Sequence, residues 1–505
     1  MSNTHATPEA TAQLSQAHPH IPYQPLGGTG LMVSAAGFGG YRVDVEVGEH
    51  HEALEKALKA GINLVDTSTN YTDGHSETLV GQVLGKLLGQ GVLSRDQVVV
   101  VSKAGYLQGR NYEVSQERKQ QGRPFPELVE FGQGLEHCLH PEFLDDQLGK
   151  SLERLGLKRL DVLLLHNPEY YLGWASQQGL ELGQAREEYY RRLQQAFAYL
   201  ESEAQRGRIS YYGISSNTFP QASDHPEFTS LARAWLLAQA QGHGHHFRVI
   251  QFPLNLLEPE ALTRPNQPGG QTLLEQARQL KLGVLTNRPL NALAQGRLLR
   301  LSEVQAGEVP TPDQVGAAIA DLLASEARLK TEVLPRLGLD QNQGKQLAEF
   351  LAAAQMLSEH WPQFHGLEHW RSVQGEYLLP RIHAALQFIL QAQGEDPEVS
   401  GLAQEHLSLV AGTLATIEAV YLAATAQEIK LLKARLALAD PDWAQATVLS
   451  QMALRALRST AGISSVLVGM RRPAYVDDVL AELARPVPVA PRLTSWQAFQ
   501  GPGAD

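Results

Sequence analysis

A single cysteine, Cys138, stands in a chain of 505 residues. It leaves no partner for an internal disulfide and fits a chain held in the reducing cytosol. No local signature marks Cys138 as a nucleophile, so a buried or semi-exposed spectator thiol is expected. Positive charge is also scarce: 42 Lys and Arg face 54 Asp and Glu, a net charge of -12. A general nucleic-acid binder is excluded, because phosphate contacts need clustered cations. Any anionic cofactor or substrate must then be met by local positive charge. No apolar run reaches the roughly 20 residues of a membrane span, so no membrane partner is expected. The opening MSNTHATPEATAQLSQAHPH lacks a basic start followed by an apolar core, so it is no secretory signal. Residues 1–20 are expected to be a disordered polar tail, and the location cytoplasmic.

What the chain does have is a recurring apolar strand pattern. MVSAAGFGG (32–40), INLVD (62–66), VVVVSK (98–103), DVLLLH (161–166), YYGIS (211–215), VIQF (249–252), GVLTN (283–287) and SSVLVG (464–469) make eight runs. Amphipathic helical patterns lie between several of them, such as Leu54, Ala57 and Leu58 closed by Gly61. Near-continuous apolar strands alternating with such helices indicate a parallel sheet covered on its outside. Eight units predict an α/β fold of the (β/α)8 TIM-barrel type rather than an open doubly wound sheet. The open fold would need G-x-G-x-x-G after its first strand, but GFGGYR carries Arg42 at the third glycine position.

The eighth run follows the seventh by almost two hundred residues. The stretch between is helical in pattern, with stripes at Leu347, Phe350, Leu351, Ala354 and Leu357, and at Ile382, Leu386, Ile389 and Leu390. Leu407, Val410, Leu414, Ile417 and Tyr421 step by three and four, close to a heptad repeat. The expected division is a barrel over 21–295 plus 446–505, interrupted by a helical insertion over 296–445. A second, smaller insertion is expected at 106–142, where RKQQGRPFPEL reads as a polar loop.

Polar residues end several of the strands: Asp66, Lys103, His166, Ser215, Gln251 and Asn287. In a parallel barrel these ends open on one face, where active sites are built. A carboxylate at the end of a buried strand needs a partner, and Lys103 is the candidate. A cation about 4 Å from the phenol of Tyr71 would interact with it by ~4 kcal/mol at an effective dielectric near 20. With Asp66 offsetting part of that, a net lowering of the Tyr71 pKa is expected, leaving a group able to give a proton at neutral pH. His166 could donate to a carbonyl oxygen and orient it. No side chain delivers hydride, so a nicotinamide cofactor is implied.

DTSTNY, GHSE, VVVVSKAG and LLLHNPE together resemble the aldo-keto reductase superfamily, as do the opening LGGTGLMVSAAGFGGYR and the later GISSN, IQFPLN and VLVGMRRP. The resemblance spans about 23–290 and 446–490. It implies Tyr71 as general acid, tuned by Lys103 and Asp66, with His166 orienting the substrate. It further implies cofactor contacts from Gly40, Tyr41, Ser215, Ser216 (or Asn217, by register), Gln251, Asn287, Arg288, Gly469, Arg471 and Arg472. Arg471 and Arg472 lie just before a helix starting near Pro473, which favours a 2′-phosphate and so NADP(H) over NAD(H). Asn287 stands where many members place an aromatic residue, and Val479 follows Asp478 where an Asn is common.

The expected function is reduction of an aldehyde, ketone or sugar carbonyl, or oxidation of the matching alcohol. The alternative is an NADP(H)-binding sensor or scaffold whose helical insertion recruits a protein partner. HGLEH (365–369) has the spacing of an inverted zinc-peptidase motif, but Pro362 and Gly366 weaken a helix there and no third ligand is evident. No metal site is expected. GHGHHF (242–247) reads as loop histidines, and Trp361 and Trp370 as packing within the insertion.

Overall fold

The computed structural model describes residues 4–294, 296–393 and 395–500. Eight parallel strands close into a barrel. They are β1 (Ala36–Gly39), β2 (Leu64–Asp66), β3 (Val99–Ala104), β4 (Leu160–His166), β5 (Ile209–Ser215), β6 (Phe247–Pro253), β7 (Gly283–Asn287) and β8 (Ser465–Val468). Each pairs with the next in chain order, and β8 pairs with β1, so the ring has no free edge. The protein is a (β/α)8 barrel with an additional helical region.

Alternation along the strands decides what fills the ring. Leu64, Val99, Val101, Val162, Leu164, Val249, Leu285 and Leu467 form one buried cluster. They are inward residues, since side chains of one strand face the same way at every second position. One step further along each strand, the next inward residues are Asp66, Lys103, His166, Gln251 and Asn287. The polar set is therefore the top layer of the barrel interior, resting on branched apolar side chains. On β5 the corresponding step runs from Gly213 to Ser215. A Cβ on Gly213 would lie 1.6 Å from the Val249 carbonyl oxygen, so only glycine lets β5 and β6 approach this closely.

The opposite end is closed by a two-stranded hairpin, Tyr23–Pro25 with Met32–Ser34. Gly27, at φ +53, donates no room to a side chain: a Cβ there would sit 2.2 Å from the Gly283 nitrogen. Residues 4–20 differ from the expected disordered tail, residues 1–3 lying outside the described residues. Pro8–Ala17 form a helix with Pro8 in its first turn, capped by the Thr7 hydroxyl, which accepts from the Ala10 N–H. Ala10, Thr11 and Leu14 are buried on one face, so apolar burial orders a segment whose average polarity suggested disorder. The 106–142 segment also differs. Part of its polar run belongs to helix Gly109–Gln120, and Tyr106–Leu107, Val129–Gly132 and Leu135–His137 make a three-stranded sheet.

The chain divides into two compact units, residues 1–290 with 436–505, and residues 291–435. The second unit has its own core, including Val315, Ile319, Leu322, Leu357, Trp370, Ile382, Leu386, Val410, Leu414 and Ile417. Trp370 is fully buried there, and Trp361 packs against the same cluster. The stripe from Leu347 to Leu357 is split between helices Gln341–Phe350 and Ala353–His360. Among the described residues one helix, Pro397–Ala439, is long and apolar enough to cross a membrane by length and composition. The sequence reading missed it because Glu418 and small polar residues interrupt the apolar run. Val399, Leu402, Ala403, Val410, Leu414, Ile417 and Tyr421 on that helix belong to the unit's core.

Candidate active site

Lys103 is wholly buried, and its ammonium is saturated. An ammonium has three protons to donate, and Nζ has three acceptors: Asp66 Oδ2 at 2.7 Å, the Thr67 carbonyl at 2.8 Å and the Tyr71 hydroxyl at 3.1 Å. Asp66 accepts at its other oxygen from Gln251 Nε2 at 2.8 Å. Gln251 Oε1 in turn accepts from Ser215 Oγ at 2.9 Å and from Asn287 Nδ2 at 3.4 Å. One network thus links the ends of β2, β3, β5, β6 and β7.

Its protonation follows from the donors. Burial pushes the Asp66 carboxyl up, while Lys103 and Gln251 pull it down. A protonated Asp66 would present its proton to an ammonium and an amide N–H, neither of which can accept, so the carboxylate is the compatible form. Burial lowers the Lys103 pKa, but Asp66 and Tyr71 outweigh it and the net direction is up. Tyr71 departs from the sequence expectation. Burial raises its pKa, the Lys103 charge only partly offsets this, and Asp66 adds to the rise. The phenol is therefore held neutral. Desolvation of a phenolate, which pairwise charges do not capture, decides the sign. Since Tyr71 oxygen accepts from Lys103, its own proton remains available to a substrate.

His166 lies beside Tyr71, with ring centroids 5.9 Å apart and nearly perpendicular. Burial, Lys103 and His137 hold its pKa well below the usual value, so it is neutral. Its Nδ1 is 3.1 Å from Ser68 Oγ, which also donates to Asn70 Oδ1 at 2.7 Å. Where Ser68 sends its single proton sets which ring nitrogen of His166 is protonated. From behind, His137 Nε2 donates to the His166 carbonyl at 2.7 Å, and Tyr106 packs its ring 4.8 Å from that of His166. Burial drops His137 to about 4, so it acts as a fixed neutral donor.

The other sequence-predicted residues divide. Gly40 donates its N–H to the Asp66 carbonyl at 2.7 Å, and a Cβ there would meet Ser76 Oγ at 2.7 Å and that same carbonyl oxygen at 2.8 Å. Tyr41 is exposed, with its ring 5.3 Å from that of Tyr71. Ser216 is not brought to the mouth. Its hydroxyl lies among those of Thr218 and Thr229, at 3.2 Å and 3.4 Å, leaving Asn217 exposed. A one-residue step flips a side chain to the other face. Arg288 Nη2 is paired with Glu258 at 2.8 Å rather than free for an anion. Gly469 is exposed with open space where a Cβ would go, Arg471 is half-buried, and Arg472 stands immediately before helix Pro473–Leu483 without a side-chain cap bond, its guanidinium 3.5 Å from Glu49.

Sequence reasoning missed Ser68, His137 and Glu169. The polar DTSTN run pointed to a hydrogen-bonded loop, but not to which hydroxyl meets His166. Glu169 is buried; Oε1 accepts from the Asn217 N–H at 2.7 Å, and the Ser216 hydroxyl lies beside the carboxylate. Burial raises its pKa to about 7. Cys138 is buried as expected, its thiol pushed up to about 12 by burial. No metal cluster exists among the described residues. In HGLEH, His365 and His369 stack with centroids 5.5 Å apart.

A closed parallel barrel with a Lys–Asp pair and a neutral tyrosine and histidine at the strand ends defines a class, the (β/α)8 barrels with a polar mouth. Within that class, residues 35–236 of the chain match the aldo/keto reductase family model. An Escherichia coli NADH-specific methylglyoxal reductase is 32% identical over 150 residues, covering 28% of this chain and 40% of that protein. A Pseudomonas D-threo-aldose 1-dehydrogenase is 30% identical over 204 residues, covering 37% of this chain and 51% of that protein. The chain thus spans about half or less of the curated relatives it matches. A Klebsiella pneumoniae aldo/keto reductase crystallised with NADP and acetate superposes with a TM-score of 0.32 at 20% identity, covering 52% of this chain and 67% of that one.

Proposed function

We propose that the barrel interconverts a carbonyl and an alcohol with a nicotinamide cofactor, NADP(H) in preference to NAD(H), and that Tyr71 is its general acid and base. The observation that carries this is the saturated Lys103 ammonium, whose third proton goes to the Tyr71 oxygen at 3.1 Å. The family match and the two oxidoreductase relatives support the same reaction class.

A nicotinamide fits the residues at the mouth. Asn287 Oδ1 is buried without a hydrogen-bond partner, beside Gln251 and Ser215, and a carboxamide N–H2 would satisfy it. Asn217, exposed at the end of β5 where Ser216 is buried, would take the role the family pattern gives to either of them. Gly469, Arg471 and Arg472, at the start of helix Pro473–Leu483, would hold the phosphate-bearing end. Bound there, the cofactor supplies the hydride.

The chain's own residues do the rest. Tyr71 gives its proton to the carbonyl oxygen as charge builds on it, and Lys103 stabilises the phenolate left behind. Asp66 keeps Lys103 charged and aimed. His166, neutral, hydrogen-bonds the substrate oxygen from the other side through Nε2–H, which requires the single Ser68 proton to turn from Asn70 to His166 Nδ1. General acid catalysis of this kind contributes about 10²- to 10⁴-fold in rate. Purified protein given NADPH and a panel of aldehydes, ketones and sugars should consume absorbance at the reduced-nicotinamide band. No consumption with any of them would contradict the reading.

A further inference from the structure

At the end of the barrel opposite the Lys103 layer lies a cavity of about 390 Å³. Its walls come from the segments that lead into β6 and β7 and from the closing hairpin. Trp235 and Gln239 belong to helix Leu231–Gln239, His243 and His245 to the loop after it, Arg248 to the start of β6, and Leu280 and Lys281 to the turn before β7. The hairpin is tied to that turn by the Gly28 N–H, which donates to the Lys281 carbonyl at 2.7 Å. The wall thus combines a helix, the start of a strand and two connecting segments, and it includes two histidines of the GHGHHF run.

The lining has a chemistry at odds with the chain around it. Acidic residues outnumber Lys and Arg by 54 to 42, yet the cavity is lined by Arg248, Lys281 and two histidines and by no Asp or Glu. Arg248 Nη1 donates to the Phe247 carbonyl at 2.8 Å and contacts His245 Nδ1 at 3.2 Å. Both contacts use the same nitrogen, and a guanidinium carries five N–H groups, so the other side of the fork is not taken up by them. With Nδ1 facing a donor, His245 carries its proton on Nε2. Trp235, half-buried, supplies a flat apolar face and packs its ring 4.9 Å from that of His245. Concave walls of one charge sign focus potential and draw in counter-charge.

We propose that this cavity binds a small phosphate monoester bearing a flat ring, its phosphate on Arg248 and Lys281 and its ring against Trp235. A planar, bidentate donor suits a phosphate, and a lone ammonium adds a second point charge. The volume falls within the range of small-molecule sites, about 300–1,000 Å³. A site at this end, away from the strand ends that carry the chemistry, would act on the fold or its stability rather than on the reacting atoms.

Phenyl phosphate is the probe, titrated calorimetrically into the full chain in moderate salt, with inorganic phosphate and phenol in parallel. The expected result is saturable binding of phenyl phosphate, weaker binding of inorganic phosphate and none of phenol. Arg248→Gln and, independently, the exposed Lys281→Gln should each weaken it about tenfold, and Trp235→Ala should reduce phenyl phosphate to the level of inorganic phosphate. Arg472→Gln, at the other end, should leave it unchanged. No saturable binding to the wild type, equal binding of phenol, or affinity lost in Arg472→Gln but kept in Lys281→Gln would overturn the proposal.

Discussion

Removing Lys103 tests the electrostatics without any substrate. In Lys103→Met an aliphatic stem of similar size remains, but Asp66, 4% exposed, keeps only the Gln251 amide as donor. Breaking a buried ion pair from one side costs about 3–5 kcal/mol, because the other charge stays buried and uncompensated. Asp66→Asn does the reverse: its carbonyl still accepts a hydrogen bond, but the ammonium at 0% exposure loses its counter-charge. The double variant leaves no buried charge, so its cost should fall well below the sum of the two, by about 2–3 kcal/mol or more of coupling. In Lys103→Met the lone Asp66 carboxyl has a raised pKa in the folded state. The penalty should therefore be small below the unfolded pKa and grow as pH rises through the folded one. Urea denaturation of the four proteins at pH 5 and pH 8, following the barrel transition, measures all of this. Single variants that each cost under about 1 kcal/mol and add in the double would refute a direct Lys103–Asp66 pair.

Glu169 offers a second pH test. Its pKa rises from 4.5 unfolded to about 7 folded, so the folded state binds more protons between those values and stability falls as pH rises through that window, by about 3 kcal/mol in all. Glu169→Gln, which can still accept from the Asn217 N–H, should melt several degrees higher than wild type at pH 8 and no higher at pH 4. Gly213→Ala should prevent the barrel from closing, since its Cβ would overlap the Val249 carbonyl at 1.6 Å; soluble expression with unaltered circular dichroism would contradict this. Arg472→Gln should raise the KM for NADPH about tenfold and leave that for NADH unchanged, as read from initial rates with either cofactor.

The barrel was legible because a closed parallel sheet imposes a pattern on the chain: near-continuous apolar strands buried on both faces, with inward polar residues at the open end. Asp66, Lys103 and His166 stand out for that reason, each one step beyond a branched apolar residue. The Lys103–Asp66 pair followed from the energy of burying a lone carboxylate. The sign of the Tyr71 shift did not, because desolvation depends on everything packed around the phenol and not on one neighbour. Ser216 and Asn217 differ by one position at the end of β5, which pattern alone does not resolve. The helix at Pro8–Ala17 carried a readable start signal, Thr7 before Pro8, hidden by the polarity of its surroundings. Glu169 gave no signal, since a carboxylate after His-Asn-Pro reads as a loop residue until its burial is seen.

The most direct measurement is the turnover of Tyr71→Phe with NADPH and an accepted aldehyde, beside a fluorescence titration of NADPH binding. Loss of one hydroxyl should lower kcat by about 10²-fold or more and leave the cofactor affinity within a few-fold of wild type. A variant that still turns over at a rate close to wild type would mean that the proton comes from elsewhere.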